Sequence, residues 1–187
     1  MGGHMGEKIW DEAADRHCTI IFPGEIFVTD EFESISAVVG SNVAVCLRDT
    51  NSGIGGMSNF LFARSDDSRF NDWSENFSTY MLDTLGKTII SLGGNKVSFE
   101  AKLFGGADIV ANTKGFGKKN VTFVTKYFQK RKITIVSEST GGKEARKVHF
   151  TPINGAVDMR KIAKTPLEIH EQESKYRDKV KLTGSKR

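Results

Sequence analysis

Val43–Leu47 is an unbroken apolar run of five residues with turn-forming sequence on both sides. Gly40-Ser41-Asn42 precedes it, and Asp49–Gly53 (DTNSG) follows almost at once. A run this short is too brief to bury a helix face, so it reads as a strand covered on both sides. Asp, Asn, Ser and Gly each favour a tight turn, and Ile54–Ala63 then returns as the second arm of a hairpin. A buried β-hairpin over Val43–Ala63 is therefore expected.

The rest of the chain is punctuated in the same way. Thr19–Phe22, Glu25–Thr29 and Ser34–Val39 read as short strands separated by Pro23-Gly24 and the acidic stretch Asp30–Glu33. Ser65–Ser74 is polar and loop-like. Glu75–Leu92 carries apolar residues at helical spacing (Phe77, Tyr80, Met81, Leu85, Ile89, Leu92), and Gly93-Gly94 supplies its stop. A second helix is expected over Val121–Phe128, with Lys130–Lys132 at the negative end of its dipole. Val97–Phe104, Ile133–Ser137, Lys147–Thr151 and Ala156–Ile162 complete the strands, with Asn154-Gly155 as a hairpin turn. About eight strands with two interior helices indicate an α+β layered domain of packed mixed sheets.

The 187 residues suit one domain over 19–162, preceded by an N-terminal arm, helical or extended, at 6–18. Residues 1–5 (MGGHM) read as an expression remnant. Residues 163–187 hold seven Lys/Arg and four Asp/Glu and read as a charged tail, helical or disordered. A net charge of +4 is mild and does not by itself argue for nucleic acid. No apolar stretch approaches a membrane span, and no secretory signal pattern is present, so a cytoplasmic location is expected. Two cysteines, Cys18 and Cys46, do not make a disulfide framework.

The segment Val39–Asn59 resembles the active-site core of the CheD family, chemotaxis enzymes that deamidate glutamine side chains on chemoreceptors. That pattern runs G-S-C-V-A-x-C-L-x-D and then G-I-G-G-M-x-H-F. Further blocks follow in the family's order. They are Phe22-Pro23-Gly24-Glu25, Glu100–Ala107 (EAKLFGGA), Phe116–Val121 (FGKKNV), and Thr140-Gly141-Gly142 with Arg146–Phe150 (RKVHF). The resemblance implies packed β-sheets flanked by helices and a cysteine hydrolase cleft.

The chemical positions depart from the pattern. Asn42 stands where the family has its nucleophilic cysteine, and Asn59 where it has its histidine. The third family position, a threonine, falls at Ser36. Glutamine deamidation needs a thiolate to attack the amide carbon, release ammonia and leave a thioester for water to hydrolyse. An asparagine amide is a poor nucleophile and does not titrate near neutral pH as imidazole does. The resemblance thus implies a cleft of Gly40, Ser41, Asn42, Gly55, Gly56, Met57, Asn59, Gly105 and Gly106 with no intact catalytic set. The glycines would serve either substrate approach or tight turns.

Cys46 is the candidate replacement nucleophile, although the family pattern also has cysteine there within the apolar run. His17-Cys18 would point to opposite faces of a strand, and His149 reads as structural. Neither metal spacing nor a phosphate-binding glycine loop is present, and no cofactor is expected. The expected function is a degenerate CheD-like protein that binds receptor-like helices or a CheC-like phosphatase. An active glutamine deamidase with a displaced nucleophile, or a ligand or nucleotide sensor, are the alternatives.

Overall fold

A computed structural model of the chain describes residues 6–61, 68–109 and 115–162. Ten strands and two α-helices are present among these residues: β1 (Glu7–Asp11), β2 (Arg16–Ile20), β3 (Ile26–Thr29), β4 (Ser34–Val39), β5 (Val43–Asp49), β6 (Gly55–Phe60), α1 (Ser68–Ser91), β7 (Phe99–Gly105), α2 (Phe116–Arg131), β8 (Thr134–Thr140), β9 (Ala145–Thr151) and β10 (Ala156–Ile162). A short 3-10 turn, Lys96–Ser98, leads into β7.

The strands form two mixed five-stranded sheets, ordered β1-β2-β4-β9-β10 and β3-β6-β5-β7-β8. The alternation of β5 explains the layering. Val43, Val45 and Leu47 join Leu82, Leu85 and Ile89 of α1 and Val124 and Phe128 of α2 in one core. Ala44 and Cys46 face the other way, into a second core with Ile35, Ala37, Val39, Val148 and Phe150 of the first sheet. Successive side chains of a strand point to opposite faces, so an uninterrupted apolar run is what a strand between two cores requires. The result is sheet upon sheet upon helices, an α+β layered domain as expected.

Several boundaries differ from the sequence-based reading. Residues 6–18 are not helical. β1 and β2 form an antiparallel hairpin that joins the first sheet through parallel pairing of β2 with β4. Its turn is closed by Asp11, whose carboxylate accepts from the backbone N–H groups of Ala13 and Ala14. The strands number ten rather than about eight. Val97 belongs to the 3-10 turn and is exposed. Both helices begin earlier than expected, α1 within the stretch read as a loop and α2 at Phe116. Tyr80 and Leu92 are exposed while Leu82 is buried, because the α1 stripe runs through 78, 82, 85 and 89. The charged tail lies outside the described residues.

The central hairpin is anchored by one carboxylate. Asp49 is 2% exposed and accepts from the Asn51 N–H (2.9 Å), the Asn95 N–H (2.9 Å), Ser52 Oγ (2.8 Å) and Ser98 Oγ (2.5 Å). Burial raises its pKa, but these donors outweigh that and hold the carboxyl well below the usual carboxylate range. Its folded-state pKa is thus depressed. The stability it contributes is present above the unfolded value of about 4 and is lost as the pH falls toward the folded value. Asp49→Asn turns an NH2 group toward donors and should cost about 2 kcal/mol at neutral pH. Urea melts should show that gap between variant and wild type narrowing below about pH 4. A gap independent of pH would contradict an ionised Asp49.

Candidate active site

The loop Gly40–Asn42 joins β4, in the first sheet, to β5, in the second. It therefore crosses between the layers at the edge of the inter-sheet core. Gly105 and Gly106, at the end of β7, hold it there. The Gly106 N–H donates to the Asn42 carbonyl (2.8 Å) and the Ala107 N–H to the Gly40 carbonyl (2.8 Å). Gly105 has φ +112, and a Cβ at this position would collide with the Asn42 carbonyl oxygen. Only glycine meets both conditions comfortably. From α2, Asn120 Nδ2 donates to the Ser41 carbonyl at 2.5 Å, and Gly117 lets the helix approach the Gly106 backbone.

Asn42 and Asn59 lie side by side at this crossing, and both are completely buried. Asn59 is on β6 directly across from Ala44, so it shares the inter-sheet face with Ala44 and Met57. The amides form a directed chain. The Gly40 N–H donates to Asn42 Oδ1 (2.6 Å), Asn42 Nδ2 donates to Asn59 Oδ1, and Asn59 Nδ2 donates to the Ile21 carbonyl (3.3 Å). Each amide uses its oxygen as acceptor and its nitrogen as donor, which a buried carboxamide requires.

The other sequence-predicted positions separate into two groups. Gly40, Ser41, Gly105 and Gly106 gather around the pair through the backbone contacts above. Gly55 and Gly56 do not, and Met57 is two residues before Asn59 on the same face of β6. Gly55 sits opposite Arg48 at the far end of the hairpin, Gly56 makes close backbone passage against Phe27 and Val28, and Met57 packs in the inter-sheet core.

Ser36 pairs with His149 on β4–β9, so it lies on the face of the first sheet opposite to Ile35, Ala37 and Val39. Its side chain is turned away from the amides. Its link to them is through backbone: the Ser36 carbonyl accepts the Ile21 N–H (2.9 Å), and the Ile21 carbonyl accepts Asn59 Nδ2.

Cys46 shares the inter-sheet face with Asn42 but is four residues further along β5, about 13 Å at strand spacing. It is 1% exposed, and burial pushes its thiol pKa well above the usual range, with Lys102 opposing only in part. Lys102 is its one charged influence, with no base among the described residues to take the proton, so it is a poor nucleophile. His17 packs edge-on against Trp10, while Cys18 points to the other face and is buried, with a pKa raised by burial. The pKa of half-buried His149 is lowered, chiefly by burial and then by Lys147. Among the described residues, no cluster of three or more His, Cys, Asp or Glu is placed to hold a metal.

Residues 62–161 match the sequence model of CheD, described as chemotactic sensory transduction. The chain is 32% identical over 180 residues to the probable chemoreceptor glutamine deamidase CheD of Hahella chejuensis, covering 94% of this chain and 85% of that one. The chain belongs to the CheD family. The like-named CheD of Caulobacter vibrioides strain NA1000 is 37% identical over 141 residues, covering 75% of each chain. That of Caulobacter sp. strain K31 is 35% identical over 168 residues, covering 88% of this chain and 89% of its own. The match to the CheD model begins just beyond Asn59, whereas the Hahella alignment spans nearly the whole chain. No helix among the described residues is long and apolar enough to cross a membrane.

Two contributors to the site were not singled out from sequence. Asn120 lies in the matched FGKKNV block and was visible there as a motif residue. The Ile21 carbonyl is a backbone group, and no side-chain pattern announces it.

Proposed function

We propose that this CheD-family chain is a degenerate deamidase that works by binding a receptor-like helix or a CheC-like partner without hydrolysing it. The observation that carries this reading is the buried Asn42–Asn59 amide pair at the positions of the family's cysteine and histidine. Neither amide can supply a thiolate or take up a proton near neutral pH, and their polar atoms are occupied by one another, by the Gly40 N–H and by the Ile21 carbonyl. A glutamine side chain entering here would meet neither a nucleophile nor a free base. Loss of both groups removes about six orders of magnitude of rate in an enzyme of comparable logic. Gly105, Gly106 and Asn120 hold the loop that carries Asn42.

The alternative of an active enzyme with a displaced nucleophile rests on Cys46, and the geometry disfavours it. That thiol is sealed in the core and held protonated.

The test uses the whole chain with a chemoreceptor cytoplasmic fragment. Titration calorimetry should show saturable binding, while ammonia release and the one-dalton gain of a deamidated glutamine stay at the level of buffer. Turnover by the wild-type chain would overturn the reading, and turnover lost in Cys46→Ser would assign it to the displaced thiol.

A further inference from the structure

A cleft of about 530 Å³ opens on the helix layer, between α1, α2 and the 3-10 turn before β7. It touches β5 only at Leu47, five residues or about 17 Å along the strand from Asn42 and on the opposite face of the sheet. Its floor is apolar, formed by Leu82, Phe99, Phe128 and Ile133. The apolar surface continues outward through Ile90, 45% exposed, and Val97, 86% exposed. Together with the floor they make one continuous apolar strip rimmed by polar residues, the form of an interaction surface.

Charge identifies what kind of partner. The rim carries Lys87, Lys96, Arg131 and Lys132 against one lining carboxylate, Asp83. Asp83 is already satisfied, because Tyr127 Oη donates to it at 2.6 Å and Arg131 Nη2 at 2.8 Å. Arg131 also stacks over the Tyr127 ring. No carboxylate among the described residues pairs with Lys87, Lys96 or Lys132. An apolar floor ringed by ammonium groups with no carboxylate partner among the described residues complements an amphipathic segment with apolar anchors flanked by carboxylates. The cleft is concave and bounded by two helices, which suits a helix laid along it and not a planar lipid surface.

We propose that this groove is a second docking site, for an acidic amphipathic helix of a partner protein, independent of the reading of the amide pair. The probe is a synthetic helical peptide with leucines along one face and glutamates beside them. The control is the same peptide with lysines for glutamates. Anisotropy titration of the full chain should give saturable binding of the acidic peptide and at least about tenfold weaker binding of the lysine peptide. Val97→Asp, and separately Lys87→Glu with Lys96→Glu, should each weaken the acidic peptide about tenfold while thermal melts stay unchanged. Salt should weaken it further.

Equal affinity for the two peptides, or insensitivity to these variants, would overturn the proposal. So would binding confined to anionic phosphatidylserine vesicles, or self-association of the chain that Val97→Asp abolishes. Tighter peptide binding when Glu168, Glu171 and Glu173 are changed to glutamine would assign the groove to the chain's own C-terminal segment and overturn it as well.

Discussion

Replacing Asn42 by cysteine together with Asn59 by histidine should turn this chain into a measurable glutamine deamidase, raising ammonia release from a chemoreceptor fragment by at least about a thousandfold over a wild-type background near zero. The geometry supplies the reasons. Asn42 Nδ2 already donates to Asn59 Oδ1, so a thiol at 42 and an imidazole at 59 would lie within proton-transfer reach. The imidazole would also inherit an orienting partner. The Ile21 carbonyl, which now accepts Asn59 Nδ2, would accept a ring N–H and leave the other ring nitrogen facing the thiol. The imidazole at 59 would then take the thiol's proton as the sulfur attacks and return it to the leaving ammonia. Each single replacement should stay inactive, because a thiol without a base or a base without a thiol leaves the step undone. Mass spectrometry of the fragment reads the outcome directly. A double variant that melts cooperatively and binds the fragment but releases no ammonia would show that divergence extends beyond these two positions.

Much of the fold was legible because burial in strands leaves a periodic trace. Val43–Leu47 is apolar at every position since β5 faces a core on each side, and Ala156–Ile162, a strand by its sequence, is β10 in the fold. The β1–β2 hairpin left no such trace. Glu7, Lys8, Ile9 and Trp10 are all exposed, so β1 is held by its backbone ladder and not by an apolar face. The site was legible as two positions and not as a contact. Asn42 and Asn59 are 17 residues apart, and what brings them together is the β5–β6 register plus the turn of Gly40–Asn42. Ser36 shows the opposite limit. Motif spacing put it in the set, but strand alternation turns its side chain to the far face, and only its carbonyl reaches toward the amides through Ile21.

The amide pair should also be a strong stability determinant, since a buried polar group is tolerable only while its partners are present. Asn42→Ala removes one side chain and orphans two groups, the Gly40 N–H and Asn59 Oδ1, at a place where both asparagines have no exposure to water. Each orphan costs about 1–3 kcal/mol, so a loss of about 3–4 kcal/mol is expected. For a chain of this size that corresponds to a fall of roughly 10 °C in the melting temperature. Asn59→Ala should cost a similar amount, because it strands Asn42 Nδ2 and the Ile21 carbonyl. The double alanine variant should not cost the sum. Once Asn42 is gone, removing Asn59 no longer breaks their mutual bond, and the shortfall should be about 1–2 kcal/mol. Denaturant melts of the four proteins measure this coupling. Additive costs would mean that the two amides do not bond to each other, and the argument that their polar atoms are occupied would fail with them.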